Sequence, residues 1–246
     1  MKPRDGALDL VKWLAMATMF LDHLRYLWPD LNGLFVPGRL AFPLFCTAIA
    51  ANVERDDGGA FPNARHARYL GWMLVFAALS EWPYQRYTGL GHPYNVMPTL
   101  ALGLVIAWGL KYRTRLALTF AGAAVLVAGV LGEERLMYGL CGALLPAAIW
   151  MGLHGRAAAW LLASALSLAP NLREMARLEP PVLEPFMLLV AASALAGPCL
   201  GLWLLRRRPT FRVPPVRRWG YGFYPLHLFG LYGFGLFLAW AQAAGG

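Results

Sequence analysis

Charge is what this sequence has least of. Only 14% of its 246 residues are charged, and 59% are hydrophobic, whereas a soluble domain carries about a quarter charged residues. Mean hydropathy is +0.48. A chain with so little charge would expose too much apolar surface to stay dispersed in water; the lipid bilayer is the solvent that fits it. Acid is scarcer than base: 13 Asp and Glu against 22 Lys and Arg leave a net charge of +9. In a soluble chain that excess would suggest nucleic acid. Here the bases stand in short clusters between apolar runs, the pattern of membrane topology, so nucleic acid is not expected as a partner. Cysteine is also sparse. Cys46, Cys141 and Cys199 each lie inside an apolar run, and without CxxC spacing they support neither a disulfide framework nor a thiolate metal site. No metal is expected. HExxH, GxSxG and Gly-rich phosphate loops do not occur, which removes metalloprotease, serine-hydrolase and P-loop chemistry. The lack of an internal repeat counts against a transporter built from two matching halves.

What is present is a series of apolar runs. About 20 residues are needed to cross the hydrocarbon core. Candidate spans are 8–28, 35–53, 67–83, 95–110, 115–131, 136–153, 156–170, 183–205 and 219–241. Breakers separate them: Pro29, Gly33 and Pro37; Asp56 to Gly59 with Pro62; Pro83, Gly91 and Pro93; Pro170; Pro180 and Pro181; Pro209; Pro214 and Pro215. The first run carries no small-residue cleavage site and is expected to stay as a membrane helix. With the N-terminus inside, the inner loops collect fifteen Lys and Arg and the outer loops five, which predicts a cytoplasmic N-terminus. The expectation is an all-α integral membrane protein, one polytopic domain over 1–246 with about nine transmembrane helices (eight to ten). The run 156–170 is short; if it is re-entrant, the helix count falls to eight.

Ionisable groups inside a bilayer are costly and mark function. Asp9, Lys12 and His23 share one face of the first helix, at 100° per residue. Asp9 and Lys12, three apart, can pair. His23 is the first candidate for chemistry, because a histidine titrates near neutrality and can act as a general base. Topology puts Asp22, His23, Arg39, Glu81 and Asn95 at one outer boundary, where they could form a single site. The plainer alternative is an ion-pair network, Arg39 with Asp22 or Glu81, that holds helices together. His227 follows Tyr224-Pro225, which can open a helix and free carbonyls.

The ordered set Leu8-Asp9-Leu10-Val11-Lys12-Trp13, Leu21-Asp22-His23, Gly38-Arg39-Leu40-Ala41-Phe42-Pro43-Leu44-Phe45, Arg68-Tyr69-Leu70, Ser80-Glu81-Trp82-Pro83, Asn95-Val96-Met97-Pro98-Thr99-Leu100 and Tyr224-Pro225-Leu226-His227 resembles the TraX family of membrane proteins. That family includes the N-acetylase of conjugative F-type pilin and is similar to a broader group of membrane acyltransferases. The resemblance implies a multi-pass protein of the bacterial inner membrane that moves an acetyl group from acetyl-CoA to an amine, the N-terminus of a processed pilin subunit. It implies His23 as general base, oriented by Asp22 or Glu81. Arg39 and Asn95 would hold the acceptor or stabilise the oxyanion, with Asp9 and Lys12 as further substrate contacts. The basic stretch Arg206, Arg207, Arg208, Arg217 and Arg218 would take the phosphates of CoA, with Tyr224 beside the cofactor and His227 either a second catalytic group or a cofactor contact. A non-enzymatic pilin assembly factor is the competing expectation.

Overall fold

The computed structural model describes residues 5–56, 59–176, 185–207 and 209–244. Apart from a lone bridge between Tyr94 and Leu136, the regular structure there is helical. The helices are α1 (Gly6–Leu24), the single turn α2 (Phe35–Gly38) preceded by a 3-10 helix (Pro29–Leu34), α3 (Ala41–Arg55), α4 (Ala64–Thr88), α5 (Val96–Tyr112), α6 (Arg115–Arg135), α7 (Gly139–Leu153), α8 (Ala157–Ala176), α9 (Pro185–Arg206) and α10 (Trp219–Ala244). Polar caps start several of them. The Asp5 carboxylate accepts from the Ala7 and Leu8 amides, Asn63 and His66 form a capping box on α4, and Thr114 caps α6.

Most helices follow the sequence expectation, with two differences. Pro83 and Pro170 do not end their helices: α4 runs on to a left-handed Gly89 and α8 runs to Ala176. A proline removes one backbone bond, and neighbouring helices can supply what it frees. The second expected span, in contrast, is broken. Arg39 sits at the bend between α2 and α3. The helix α8 is continuous and packs between α7 and α9. By length and hydropathy alone, 29–55, α6, α9 and α10 could each cross a membrane, and α5 and α7 are shorter apolar helices.

The helix α3 is the hub, touching α1, α5, α7 and α9. Small residues allow the close approach. Gly197 and Gly201, one turn apart on α9, leave room only for Pro43 and Thr47 of α3. Large apolar residues such as Leu126, Val130, Leu161, Leu226 and Trp240 stay exposed on the outside, as befits an all-helical membrane protein.

The charged groups gather at two opposite ends. One end joins Arg55 to Asp5, Arg65 and His66 to Asp56, and Lys111 to the Val53 and Asp56 carbonyls. The other holds Asp22, Arg25 and Arg39. We call them the basic end and the far end.

Candidate active site

His23 lies in the last turn of α1, buried at 8% exposure, and His227 lies on α10 at the same 8%. Their rings stack, and His23 Nδ1 is 2.8 Å from His227 Nε2. The other nitrogen of His227, Nδ1, is 2.9 Å from the Phe223 carbonyl one turn back. A carbonyl can only accept, so Nδ1 of His227 carries the proton and Nε2 holds the lone pair. His23 Nδ1 must then donate to it. By elimination the neutral His23 keeps its lone pair on Nε2, the nitrogen with no hydrogen-bond partner among the described residues. The Tyr87 hydroxyl donates to the His23 carbonyl at 2.6 Å, and the Tyr87 and Tyr26 rings pack on the imidazole. His23 is thus fixed in position and in tautomer, with one basic atom left over.

His23 lines a cavity of about 490 Å³ together with Asp22, Arg25, Arg39, Tyr84, Tyr138 and Tyr224. Asp22 is held between two arginines: Arg25 Nε donates to Oδ1 at 3.0 Å and an Arg39 terminal nitrogen to Oδ2 at 3.2 Å. Both guanidinium groups lie over the Phe35 ring. Gly38 makes this possible, since a Cβ there would come within 2.6 Å of the Asp22 side chain. The Nε of Arg39 is buried with no partner among the described residues, and the Arg39 side chain lines the same cavity as His23.

Of the five residues expected at one boundary, Asp22, His23 and Arg39 meet at the cavity, whereas Glu81 and Asn95 do not line it. Glu81 accepts from Gln85 at 2.6 Å and from both the backbone and side-chain nitrogens of Asn95, at 3.0 and 2.6 Å. Asn95 also donates to the Ala77 carbonyl and caps α5 through the Met97 amide. Each polar atom of the Asn95 side chain is spent on tying α4 to α5, which leaves it no donor for an oxyanion.

The expected orienting of His23 by Asp22 or Glu81 is therefore corrected: His227 does it. Consecutive residues on a helix point about 100° apart, so Asp22 and His23 cannot face each other. The ion pair expected between Arg39 and Asp22 or Glu81 is the Asp22 one. Nor does Tyr224-Pro225 open α10, which is continuous through Pro225.

Below the cavity lies a neck of about 130 Å³. Met19, Phe45, Val96 and Tyr224 line both spaces. Four methionines, Met16, Met19, Met73 and Met97, make much of its wall; their flexible side chains repack easily around a guest. On α1 the lining residues Lys12, Met16, Met19 and His23 follow helical spacing, so one stripe runs from the basic end to the histidine pair. Lys12 makes no ion pair among the described residues. The expected Asp9–Lys12 ion pair is not formed; Asp9 Oδ1 accepts from the Val216 amide at 3.0 Å and holds the segment before α10. Arg217 lines the neck beside Lys12. Arg206 and Arg207 line none of these spaces, Arg207 lying over Trp203 instead, and Arg208 falls outside the described residues.

The sequence did not single out Arg25, Tyr87 or Tyr138 for the site. The i, i+3 spacing of Asp22 and Arg25 was a usable signal; nothing local marked Tyr87 or Tyr138. Among the described residues no group of three His, Cys, Asp or Glu could hold a metal ion.

A buried pair of hydrogen-bonded histidines on two helices, one of them lining a cavity with charged residues above an apolar neck, defines a helical membrane protein with a site inside the bundle. The chain belongs to the TraX family: the family model of the TraX protein matches residues 7–235. No curated protein and no solved structure matches it.

Proposed function

We propose that this protein is a membrane-embedded acetyltransferase of the bacterial inner membrane, taking acetyl-CoA as donor and the N-terminal amine of a processed conjugative pilin subunit as acceptor. The observation that carries this reading is the single lone pair left on Nε2 of His23, a residue that lines the cavity. TraX membership points the same way, toward pilin and conjugation.

In this reaction His23 Nε2 takes the proton from the acceptor amine as its nitrogen attacks the thioester carbonyl. The C–N bond forms, the C–S bond breaks, and the departing thiolate takes the proton back from His23. A base so placed contributes about 10²–10⁴-fold. His227 accepts from Nδ1 throughout and keeps the imidazole turned. Arg39, which lines the cavity with His23, is the donor for the oxyanion. Its partner Asp22 keeps the guanidinium in place. The basic end faces the cytosol with the N-terminus, following the fifteen-to-five distribution of Lys and Arg. The donor then comes from the side where CoA is made, and the acceptor meets the far end.

The test is intact-mass analysis of membrane pilin from cells with and without this protein. An acetyl increment present only with it is the expected result. Pilin of unchanged mass in cells that assemble pili only when the protein is present would overturn the reading in favour of an assembly factor.

A further inference from the structure

A third space opens at the basic end, about 320 Å³ in volume and separate from the histidine cavity. Its wall carries Arg55, Arg65, Arg68 and Arg218, with Tyr69, Trp72 and Trp108 between them. Four guanidinium groups meet one carboxylate there, Asp56. Burial alone would push the Asp56 carboxyl up, but hydrogen bonds from Tyr112 and His66 outweigh it and hold the group below the usual range. Asp56 therefore stays charged and engages Arg65 at 3.1 Å. Arg55 is paired with Asp5 at the rim. The side chains of Arg68 and Arg218 make no ion pair or hydrogen bond among the described residues, although both line the same cavity. They come from different parts of the chain, α4 and the turn just before α10, so no local topology signal requires them to converge.

Two guanidinium forks without a carboxylate suit phosphate oxygens. The aromatic wall adds a second property. Trp72 is 39% exposed and presents a ring on which a nucleobase can stack. Asn52, Tyr69 and Tyr221 line both this space and the methionine neck. The three spaces thus adjoin in series: arginines, neck, histidines. Arg218 and His227 are nine residues apart, about 14 Å along α10.

We propose that this arginine-aromatic cavity binds the phosphorylated nucleotide end of coenzyme A, with the pantetheine arm lying along the neck toward His23. The proposal rests on the acetyltransferase reading for its choice of nucleotide. Of the basic stretch expected from the sequence it keeps Arg218, sets Arg206 and Arg207 aside, and adds Arg68, with Arg55 and Arg65 beside them. Anionic lipid headgroups share the phosphate chemistry but offer no base to stack and no arm to fill the neck.

The experiment uses the full chain in nanodiscs of zwitterionic lipid and, as probe, adenosine 3′,5′-bisphosphate, which has the phosphates and the base but neither arm nor thioester. Calorimetry should show binding to the wild type. Arg68→Gln with Arg218→Gln should weaken it by at least about tenfold, and Arg206→Gln with Arg207→Gln should leave it unchanged. If the Arg68/Arg218 double variant is misfolded by gel filtration, Arg68→Gln alone carries the same criterion. Equal binding by wild type and the Arg68 and Arg218 variants would overturn the site. So would loss of nucleotide binding on adding phosphatidylglycerol to the discs at unchanged ionic strength, which would make this a lipid site. The two proposals separate cleanly. Acetyl transfer that needs His23 but keeps its KM for acetyl-CoA in the double variant removes this site and leaves the function. Arginine-dependent nucleotide binding with no acetyl transfer leaves the site and removes the function.

Discussion

At the scale of single residues, the proposed chemistry turns on which nitrogen of His23 holds the lone pair, and the bond to His227 decides that. The Phe223 carbonyl fixes His227, and His227 fixes His23. His23→Ala should lower acetyl transfer by about 10²–10⁴-fold while the protein still inserts and elutes as wild type; full turnover by such a variant removes His23 from the mechanism. His227 is a positioning residue, and a pair of substitutions tests it. His227→Phe fills the space but offers no acceptor, so kcat should fall by up to about 10⁴-fold. His227→Gln retains a carbonyl that can accept from Nδ1 and should recover part of that loss. Equal activities for the two would mean that His227 only packs. Arg39 is distinguished from a simple positive charge by its planar fork, of which one terminal nitrogen serves Asp22 while the side chain lines the His23 cavity. Arg39→Lys keeps the charge and loses the fork. Its kcat should fall with little change in KM for acetyl-CoA, and an unaffected kcat would reduce Arg39 to a structural cation.

At the scale of elements, the site exists because helices that carry it are pressed together by residues without side chains. Gly38 lets the turn before α3 approach Asp22, and Gly197 with Gly201 lets α9 approach α3. In lipid there is no hydrophobic force between helices, so close packing is what holds them. Gly201→Leu would drive a side chain into buried Thr47. Overpacking of this kind costs about 1–3 kcal/mol, and the melting temperature in detergent should fall accordingly. An unchanged melting temperature would show that α9 can move off α3 freely. The polar pair Glu81–Asn95 belongs to this scale too. It looks catalytic in the sequence and serves instead to hold the start of α5 against α4.

At the scale of the whole molecule, the asymmetry between the two ends sets how two substrates could meet. Lys12, Arg55, Arg68, Arg217 and Arg218 open on the lower spaces, and His23 on the upper one. The segment between α9 and α10 is at the basic end, with the Pro214 carbonyl accepting from Trp13 and Val216 donating to Asp9. Thr210 is exposed in that segment. A Thr210→Cys variant should resist an impermeant thiol reagent added to intact spheroplasts and react once the membrane is opened. Labelling from outside would invert the topology and, with it, the proposed side of donor entry.

The sequence by itself determined the solvent, the helical class and most helix positions, because these depend on residue type and on runs of neighbours. Low charge, apolar runs and clustered Arg are local properties that tertiary packing does not rewrite. The stripe Lys12, Met16, Met19 and His23 was also readable, since helical spacing alone puts it on one face. Only the tertiary structure decided partners. His23 bonds a residue 204 positions away, Asp22 turns from its neighbour to Arg39, and Asp9 leaves Lys12 for Val216. Likewise Pro83 and Pro170 read as stops but lie within helices. The physical reason is the same in each case. Inside a bundle, a polar group takes whichever partner packing brings within about 3 Å, and sequence separation does not enter that choice.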